Sequence, residues 1–354
     1  MNLSYWEQQT WFTNIDYAII GSGIVGLSCA LQLRKQYPEA KIVVFEKGML
    51  PSGASTKNAG FACFGSISEI LDDLKTHSEA EVIALVTQRL EGLKTLRATL
   101  GDTTIAYNEW GGFELFPETD ETLLTTCLAN IDKINTLLFP IFNANVFSVV
   151  DTPFGFEKVA PKAIFNCFEG QIDTGKMMQA LLQKAVSEGV LILNNAEVTK
   201  ISEGHTHPQL TLQDQVIDAK KICIATNGFA QQLLAENVEP ARAQVLVTKP
   251  IKNLSIKGTF HLDCGYYYFR NIDNRILFGG GRNLDFETEN TTEIGLTKRV
   301  QEHLEILLNE TILPKISFEI DHRWSGIMGV GTQKKPIVKQ LSTCLLYTSP
   351  SPRD

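Results

Sequence analysis

The sequence predicts an α/β fold in which a discontinuous Rossmann-like domain is interrupted by an inserted α+β domain that contains an antiparallel sheet. Three observations support this prediction. Residues 17–46 have the pattern of a strand, a glycine-rich turn, a helix and a second strand, which together form one βαβ unit. Residues 173–195 return to a helix followed by a strand. Residues 242–283 then hold successive strand patterns with no helical pattern between them, as in an antiparallel sheet.

The length and composition bound the class of protein. The chain has 354 residues, enough for about two domains of roughly 150 residues each. Hydrophobic residues make up 44% and charged residues 20%, so the chain has enough apolar surface to fold. Its 40 acidic and 32 basic side chains leave a net charge of -8, which disfavours nucleic acid, and we expect no nucleic-acid partner.

The cysteines and the longest uncharged segment indicate the cellular compartment of the protein. The seven cysteines are odd in number and never form a CxxC pair, which argues against a disulfide framework and a zinc site, so we expect no metal. Residues 17–33 carry no charge, but glycines interrupt them and a membrane span needs about 20 mostly apolar residues. We therefore expect a cytoplasmic protein with no integral membrane segment.

The predicted elements follow one another along the chain. Helical patterns cover residues 79–100 and 123–138, with a strand candidate, GGFELF, before the second. Asp173 can cap a helix that Gly189 ends. Further strand candidates are residues 190–195, 209–212, 215–217, 221–226, 243–248, 258–262, 266–271 and 275–280. This order predicts one domain from residues 1–78, 151–241 and 311–343 and a second, substrate-binding domain from residues 79–150 and 242–310.

The turn after the first strand matches the dinucleotide-binding pattern GxGxxG. Its glycines permit a tight turn, close approach of the backbone to a pyrophosphate, and close packing of helix on strand. Glu46 closes the second strand 20 residues after Gly26, where an acid accepts hydrogen bonds from a ribose and disfavours the 2′-phosphate of NADP. The alternative for Glu46 is a solvated carboxylate at a strand end. The turn itself comprises Gly21, Ser22, Gly23, Ile24, Val25 and Gly26.

Beyond this turn, the sequence resembles the FAD-dependent amine and amino-acid oxidoreductases related to D-amino-acid oxidase, glycine oxidase and sarcosine oxidase. The resemblance extends in order to about Leu341. The segments that carry it are GSGIVG with Glu46, GASTKNAG at residues 53–60, IATNGFA at residues 224–230 and RWSGIMGVGTQKKPIV at residues 323–338.

The resemblance implies FAD as the cofactor and assigns residues to it. In such proteins the equivalent of residues 58–60 lies along the flavin ring, the backbone at Val198 contacts the adenosine end, and residues 225–228 line the cofactor. Beyond the turn and Glu46, the residues that we expect to bind FAD are therefore Lys47, Ser55, Lys57, Asn58, Ala59, Gly60, Val198, Ala225, Thr226, Asn227, Gly228, Gly326 and Met328.

The resemblance also implies a reaction. The carbon next to an amine, in an amino acid or a polyamine derivative, delivers hydride to FAD and leaves an imine, and oxygen or another acceptor takes up the electrons. Related flavoproteins oxidise 2-hydroxy acids or glycerol phosphate instead, and an inactive FAD-binding fragment is a further alternative. If the amine binds in its neutral form, no acid or base is required, so no catalytic residue is assigned.

Candidates for substrate binding lie among the later strands. Alternation along YYYFR puts Tyr266, Tyr268 and Arg270 on one face, and an arginine can bind a carboxylate through two parallel hydrogen bonds. Arg282, after three glycines, and Arg323, beside a tryptophan, are similar candidates. Aromatic packing and solvated arginines are the alternatives at these positions.

The last residues depart from the family pattern. Related proteins continue into a further strand, a glycine-rich turn and a helix, whereas this sequence ends LSTCLLYTSPSPRD. Residues 344–354 resemble the translation of a library adapter, so we expect a non-native tail on a C-terminally truncated chain. A genuine disordered tail is the alternative. If the terminal helix is missing, the chain as written should bind FAD weakly or turn over poorly.

Overall fold

The computed structural model describes residues 2–204, 206–234, 238–331 and 335–349. The strands are β1 (Ile15–Ile20), β2 (Ile42–Phe45), β3 (Phe61–Ala62), β4 (Gly112–Glu114), β5 (Phe147–Asp151), β6 (Lys162–Asn166), β7 (Gly170–Gln171), β8 (Leu191–Leu193), β9 (Val198–Glu203), β10 (Pro208–Leu212), β11 (Gln215–Ile224), β12 (Glu239–Thr248), β13 (Thr259–Leu262), β14 (Tyr267–Ile272), β15 (Arg275–Gly280), β16 (Ile320–Val330), β17 (Ile337–Gln340) and β18 (Leu345–Ser349).

The helical elements lie between these strands. The α-helices are α1 (Tyr5–Glu7), α2 (Ile24–Gln36), α3 (Ala54–Lys57), α4 (Ile67–Thr76), α5 (Glu79–Leu100), α6 (Glu121–Phe142), α7 (Thr174–Ser187), α8 (Phe286–Glu289) and α9 (Lys298–Leu307). Shorter 3-10 or π-helical turns are Gln8–Phe12, Asn227–Gln232, Asp263–Gly265, Arg282–Leu284 and Leu308–Ile312. No helix in the described ranges is both long and apolar enough to cross a membrane.

The first sheet contains the predicted βαβ unit. Its strand order is β17-β18-β11-β1-β2-β8, and β9 and β10 extend it as antiparallel strands from β11. Strands β1, β2 and β11 are parallel, and their last residues Ile20, Phe45 and Ile224 are in register. Three carboxyl ends therefore meet at one edge, which is where parallel α/β sheets bind their ligands.

Helices α2 and α7 cover one face of this sheet. Asp173 caps α7, as predicted, because its carboxylate accepts a hydrogen bond of 2.9 Å from the backbone N–H of Lys176. Gly189, with φ +78°, follows the helix. The buried apolar residues of this layer include Leu27, Ala30, Met177, Met178, Leu181 and Ala185.

The second sheet has the order β16-β12-β15-β14-β13-β4-β6-β5. Its neighbours are antiparallel except for β13 and β4, which run parallel. Phe260 and Phe269 stack in its core with ring centroids 4.5 Å apart, and α9 packs over them through Val300 and Leu304. The predicted antiparallel sheet is confirmed, and with it the α/β class.

The two sheets divide the chain differently from the predicted domain limits. Residues 151–166 and 320–330 were expected in the first domain, yet β6 and β16 belong to the second sheet. An alternating or apolar run indicates a strand but does not reveal which sheet it joins, because the partner strands are far away in sequence. The residue limits of the two domains stay a prediction.

The segment expected to be a non-native tail contributes a strand to the first sheet. β18 lies between β17 and β11, with residues 345–347 paired to residues 222–224, and Tyr347 is fully buried. The apolar run LLY can cover a sheet edge whatever its origin, because pairing satisfies the edge's backbone groups. Residues 350–354 of this segment, and residues 332–334 of the family-like segment, lie outside the described residues.

Candidate functional site

A first cavity of about 220 Å³ lies at the carboxyl ends of β1, β2 and β11. Many of the residues predicted to bind FAD line it. These are Gly21, Gly23, Ile24, Val25, Glu46, Lys47, Ser55, Val198, Ala225, Thr226 and Asn227. Its wall also includes residues that the sequence did not single out, among them Glu197, Phe229, Gln232, Thr292 and Ile294.

The glycine turn has no room for a side chain at Gly21 or Gly26. Gly21 has φ +102°, and a Cβ there would lie 2.5 Å from the carbonyl oxygen of Ala225. A Cβ on Gly26 would overlap the carbonyl oxygen of Gly21. The first backbone N–H of α2, at Ile24, donates to the hydroxyl of Ser55 at 2.9 Å. Gly21 and Gly23 line the cavity without a side chain, so a ligand can approach their backbone closely, as a pyrophosphate site requires.

Glu46 is held at the cavity wall by three hydrogen bonds. One carboxylate oxygen accepts from the backbone N–H of Ser22 at 3.0 Å and from its hydroxyl at 2.7 Å. The other accepts from the backbone N–H of Gly48 at 2.9 Å. Ser22 is buried and acts through Glu46, since it does not line the cavity. A carboxylate has about four acceptor positions, so Glu46 keeps capacity for a ligand hydroxyl.

Thr226 offers a further polar group in the same wall. Its hydroxyl oxygen is buried and has no hydrogen-bond partner within the described part of the chain. An unpaired buried hydroxyl is costly, and a bound ligand with a polar group would satisfy it. The glycine turn and the unpaired hydroxyl of Thr226 are together consistent with a dinucleotide bound in the first cavity.

A second cavity of about 540 Å³ meets the first at Ala54. Asn58, Ala59 and Gly60, which were predicted to lie along the flavin ring, line it. Three further residues predicted to bind the cofactor also line it, namely Lys57, Gly326 and Met328. Gly228 lines neither cavity and packs against the backbone at Met328, where a Cβ would overlap the carbonyl oxygen.

Residues 57–60 are locked in place by side chains on both sides. The Asn58 side chain accepts from the backbone N–H of Gly60 at 2.9 Å and donates to the carbonyl oxygens of Ala54 and Ser55. Trp324, on β16, donates its indole N–H to the carbonyl oxygen of Lys57 at 2.9 Å. These bonds tie the connection between the cavities to the second sheet.

The five predicted substrate-binding residues separate into two groups. Tyr266, Tyr268 and Arg282 line the second cavity. Arg270 does not line it; its guanidinium donates to the carbonyl oxygens of Ala59 and Ile172 beneath the cavity. Arg323 lies outside it and donates to Gln301 and Glu305 on α9.

Burial shifts the pKa of two neighbouring side chains of β14, Arg270 and Tyr268. Arg270 is 3% exposed, and burial lowers the pKa of its guanidinium to about 10. Burial also raises the pKa of the Tyr268 hydroxyl to about 12, so both side chains keep their ordinary protonation states at neutral pH. Tyr268 therefore contributes an uncharged side chain to the cavity wall. Arg270 is a buried cation whose guanidinium donates hydrogen bonds to backbone oxygens.

Arg282 is the predicted arginine that reaches the cavity. It is 9% exposed and follows Gly281, whose φ of +81° favours glycine. One terminal nitrogen donates to the side-chain oxygen of Asn290 at 2.6 Å, and the guanidinium carbon lies 4.9 Å from the ring centroid of Phe286. These contacts hold the guanidinium at the wall, where its planar fork suits a carboxylate.

Several ionisable residues at this cavity were not predicted. Glu69 and His261 line it, and Glu169 lies behind His261 with its carboxylate 2.6 Å from Nε2 of the imidazole. Burial disfavours the imidazolium, but attraction to Glu169 outweighs this and raises the pKa of His261 to about 9. His261 and Glu169 are 92 residues apart, so no local pattern in the sequence links them.

Comparisons with known proteins identify the family and the fold. The chain matches the DAO family, described as FAD dependent oxidoreductase, over residues 16–349. Among solved structures it is similar to glycine oxidase from Geobacillus kaustophilus, at 21% identity and TM-score 0.75, covering 96% of this chain and 89% of that chain. No curated protein sequence matches significantly.

Two further solved structures are similar to this chain over a comparable share of its length. L-proline dehydrogenase from P. horikoshii is 19% identical with TM-score 0.71, and the match covers 95% of this chain and 87% of that chain. Iminodiacetate oxidase from Chelativorans sp. BNC1 is 18% identical with TM-score 0.72, covering 94% of this chain and 89% of that chain. At such identities these structures establish the shared fold.

Proposed function

The chain belongs to the DAO family of FAD-dependent oxidoreductases, with FAD as its cofactor, and on this premise we propose that it oxidises an amino acid at the carbon next to its amine. When bound, FAD supplies a two-electron acceptor, so the substrate loses a hydride and becomes an imine that water can hydrolyse. We further propose that the first cavity holds the adenosine half and that Asn58, Ala59, Gly60, Gly326 and Met328 border the flavin half.

The position of Arg282 is the observation that supports an amino-acid substrate. It is a buried cation in the wall of the second cavity, held by Asn290 and Phe286. Such a guanidinium can donate two parallel, charge-assisted hydrogen bonds to the two oxygens of a carboxylate. An α-carboxylate held there would fix one end of a small substrate and leave its amine-bearing carbon toward residues 58–60.

The rest of the cavity contributes shape and a dry environment. Tyr266 and Tyr268 provide aromatic walls, and Phe61 packs edge-on against Tyr268 with ring centroids 5.6 Å apart. Excluding water strengthens the interaction between Arg282 and a carboxylate, and it protects the oxidised carbon until release. In this proposal Arg282 orients the substrate and no side chain is assigned a proton transfer.

Similar structures support the chemical class. They include a glycine oxidase, a proline dehydrogenase and an iminodiacetate oxidase, and glycine, proline and iminodiacetate each contain an amine and a carboxylate. These activities belong to those proteins. For this chain they make the amino-acid class the first to test.

Anaerobic bleaching of the flavin in the purified, FAD-loaded full chain tests the proposal. The panel should contain matched sets: an amino acid, its N-methyl form, its 2-hydroxy analogue and its amide, together with a polyamine. We expect bleaching by at least one free amino acid or N-methyl amino acid, and at least tenfold slower bleaching by its amide. Bleaching by the hydroxy acids alone would contradict the proposal and favour an alcohol dehydrogenase.

A further inference from the structure

Three side chains of metal-ligand type from distant parts of the chain meet at the wall of the second cavity. Cys63 follows β3, Glu169 lies between β6 and β7, and His261 is on β13. One potential ligand atom from each lies within 4.8 Å of the other two. His261 and Glu169 are buried at 5% and 1% exposure, and Cys63 is partly buried.

This donor set suits a particular class of ion. A thiolate, an imidazole and a carboxylate are the side-chain ligands that zinc uses, whereas magnesium and calcium prefer oxygen alone. With bonds of about 2.0–2.3 Å, tetrahedral zinc holds its ligand atoms roughly 3.3–3.8 Å apart. The three atoms are close enough for such a site, provided that the pair of His261 and Glu169, now at 2.6 Å, opens slightly.

The residues around Cys63, Glu169 and His261 leave space for the Glu169 carboxylate and hold it in position. A Cβ on Gly112 would overlap the Glu169 carboxylate, so the glycine leaves the space that this group occupies. The hydroxyl of Thr259 donates to the same carboxylate at 2.8 Å. Hydrogen bonds of this kind orient metal ligands from outside the coordination sphere.

The local charge also favours a cation. Besides Glu169, the carboxylates of Glu69 and Glu114 act on His261, and Glu114 accepts hydrogen bonds from the backbone N–H and hydroxyl of Ser68. Buried carboxylates are costly unless paired or bound to a metal. A divalent ion bound to Glu169 would offset part of this cost.

We propose that Cys63, Glu169 and His261 form a binding site for a divalent transition-metal ion of the zinc type. Cys63 and His261 line the second cavity, so the fourth coordination position faces that cavity and is open to water or to an oxygen or nitrogen donor. Sequence spacing alone predicts no metal, because the ligands share no CxxC or HxxxH pattern. The site does not depend on the proposed amino-acid substrate.

Zinc binding by the full chain, freed of metal with a chelator and then titrated with Zn²⁺, tests the proposal. Competition with a chromophoric chelator gives the affinity, and X-ray absorption at the zinc edge identifies the ligands. We expect one zinc ion per chain with one sulfur ligand at about 2.3 Å. Absence of saturable zinc binding, or a zinc site without sulfur, would overturn the proposal.

Three variants locate the site. Cys63→Ser and His261→Gln should each weaken zinc binding at least tenfold, whereas Cys264→Ser should not, although Cys264 is also partly buried and lies near Ser68. Unchanged zinc affinity in Cys63→Ser would refute the assignment. If His261→Gln fails to fold, Cys63→Ser and the sulfur signal of the wild-type chain still decide the matter.

Discussion

The two cavities are built in different ways although they meet at one residue, Ala54. The part of the first cavity formed by residues 21–25, 46–55 and 225–227 consists mainly of glycines, small side chains and main chain, with Glu197, Phe229 and Ile294 completing the wall. The second presents aromatic and charged side chains from widely separated elements, with Glu69, His261 and Arg282 among them. A wall made of main chain follows from the local fold, whereas a wall made of side chains depends on long-range packing. The first should therefore tolerate substitution least, and the second should control which substrate is used.

Gly26→Ala should have the largest effect, and it acts on the first cavity. The new Cβ would overlap the carbonyl oxygen of Gly21, so the turn must move. We expect FAD affinity to fall at least a hundredfold and the free energy of unfolding to fall by about 1–3 kcal/mol, as in other overpacked sites. Flavin titration and thermal or urea unfolding measure both.

Gly92→Ala is the matched control for that substitution. Gly92 lies within α5, and a Cβ there would have no heavy atom within 4 Å. Alanine in an open helix interior should stabilise the protein by about 0.5–1 kcal/mol and leave FAD affinity unchanged. An equal loss of FAD in both variants would contradict the account of the turn.

Glu46→Ala should weaken FAD binding tenfold to a hundredfold. The carboxylate accepts three hydrogen bonds within the chain and is predicted to accept another from the ribose, and bonds to a charged group contribute about 1.5–3 kcal/mol. Glu39→Ala, at an exposed position, is the control. Equal FAD dissociation constants for the two variants would show that Glu46 makes no stabilising contact with FAD.

Arg282→Met should leave FAD binding nearly unchanged and act on the second cavity. We expect KM for a carboxylate substrate to rise about tenfold or more, and KM for its amide to change much less, because the lost bonds are charge-assisted. Arg323→Met removes an arginine that pairs with Gln301 and Glu305 outside the cavity. Its KM values should match those of the wild type, and the reverse pattern would move the carboxylate site to Arg323.

Thr226→Val should have the smallest effect, again on the first cavity. Thr226 lines the cavity, and its buried hydroxyl has no hydrogen-bond partner in the described ranges. If FAD supplies the partner, losing a neutral hydrogen bond of about 0.5–1.5 kcal/mol should weaken FAD binding roughly two- to tenfold. Thr199→Val, at an exposed strand position, is the control. Tighter FAD binding by Thr226→Val would mean that the hydroxyl gains no partner from FAD.

Local sequence patterns locate part of the first cavity's wall for a physical reason. The glycine turn, Glu46 and the strands that carry them form a βαβ unit whose contacts are close along the chain, so local patterns contain them. The parallel register of Ile20 with Phe45 then brings their carboxyl ends together without further information. The same logic applies to the cap of α7 at Asp173.

The second cavity was predictable only in part. Alternation on β14 placed Tyr268 and Arg270 on one face, but it could not reveal that Arg270 turns to the carbonyl oxygens of Ala59 and Ile172. The partners come from segments 211 and 98 residues away. The pairing of His261 with Glu169 was missed for the same reason, since it depends on how β13 packs against the loop before β7.

A crystal structure of the full chain with FAD and a small carboxylate inhibitor tests the central claim most directly. That claim is that one FAD spans both cavities and that the substrate's carboxylate lies at Arg282. We predict the adenosine ribose at Glu46, the flavin ring beside residues 58–60, and the inhibitor's carboxylate about 2.7–2.9 Å from the guanidinium nitrogens of Arg282. A flavin ring away from residues 58–60, or a carboxylate bound at Arg323 or elsewhere, would contradict the account.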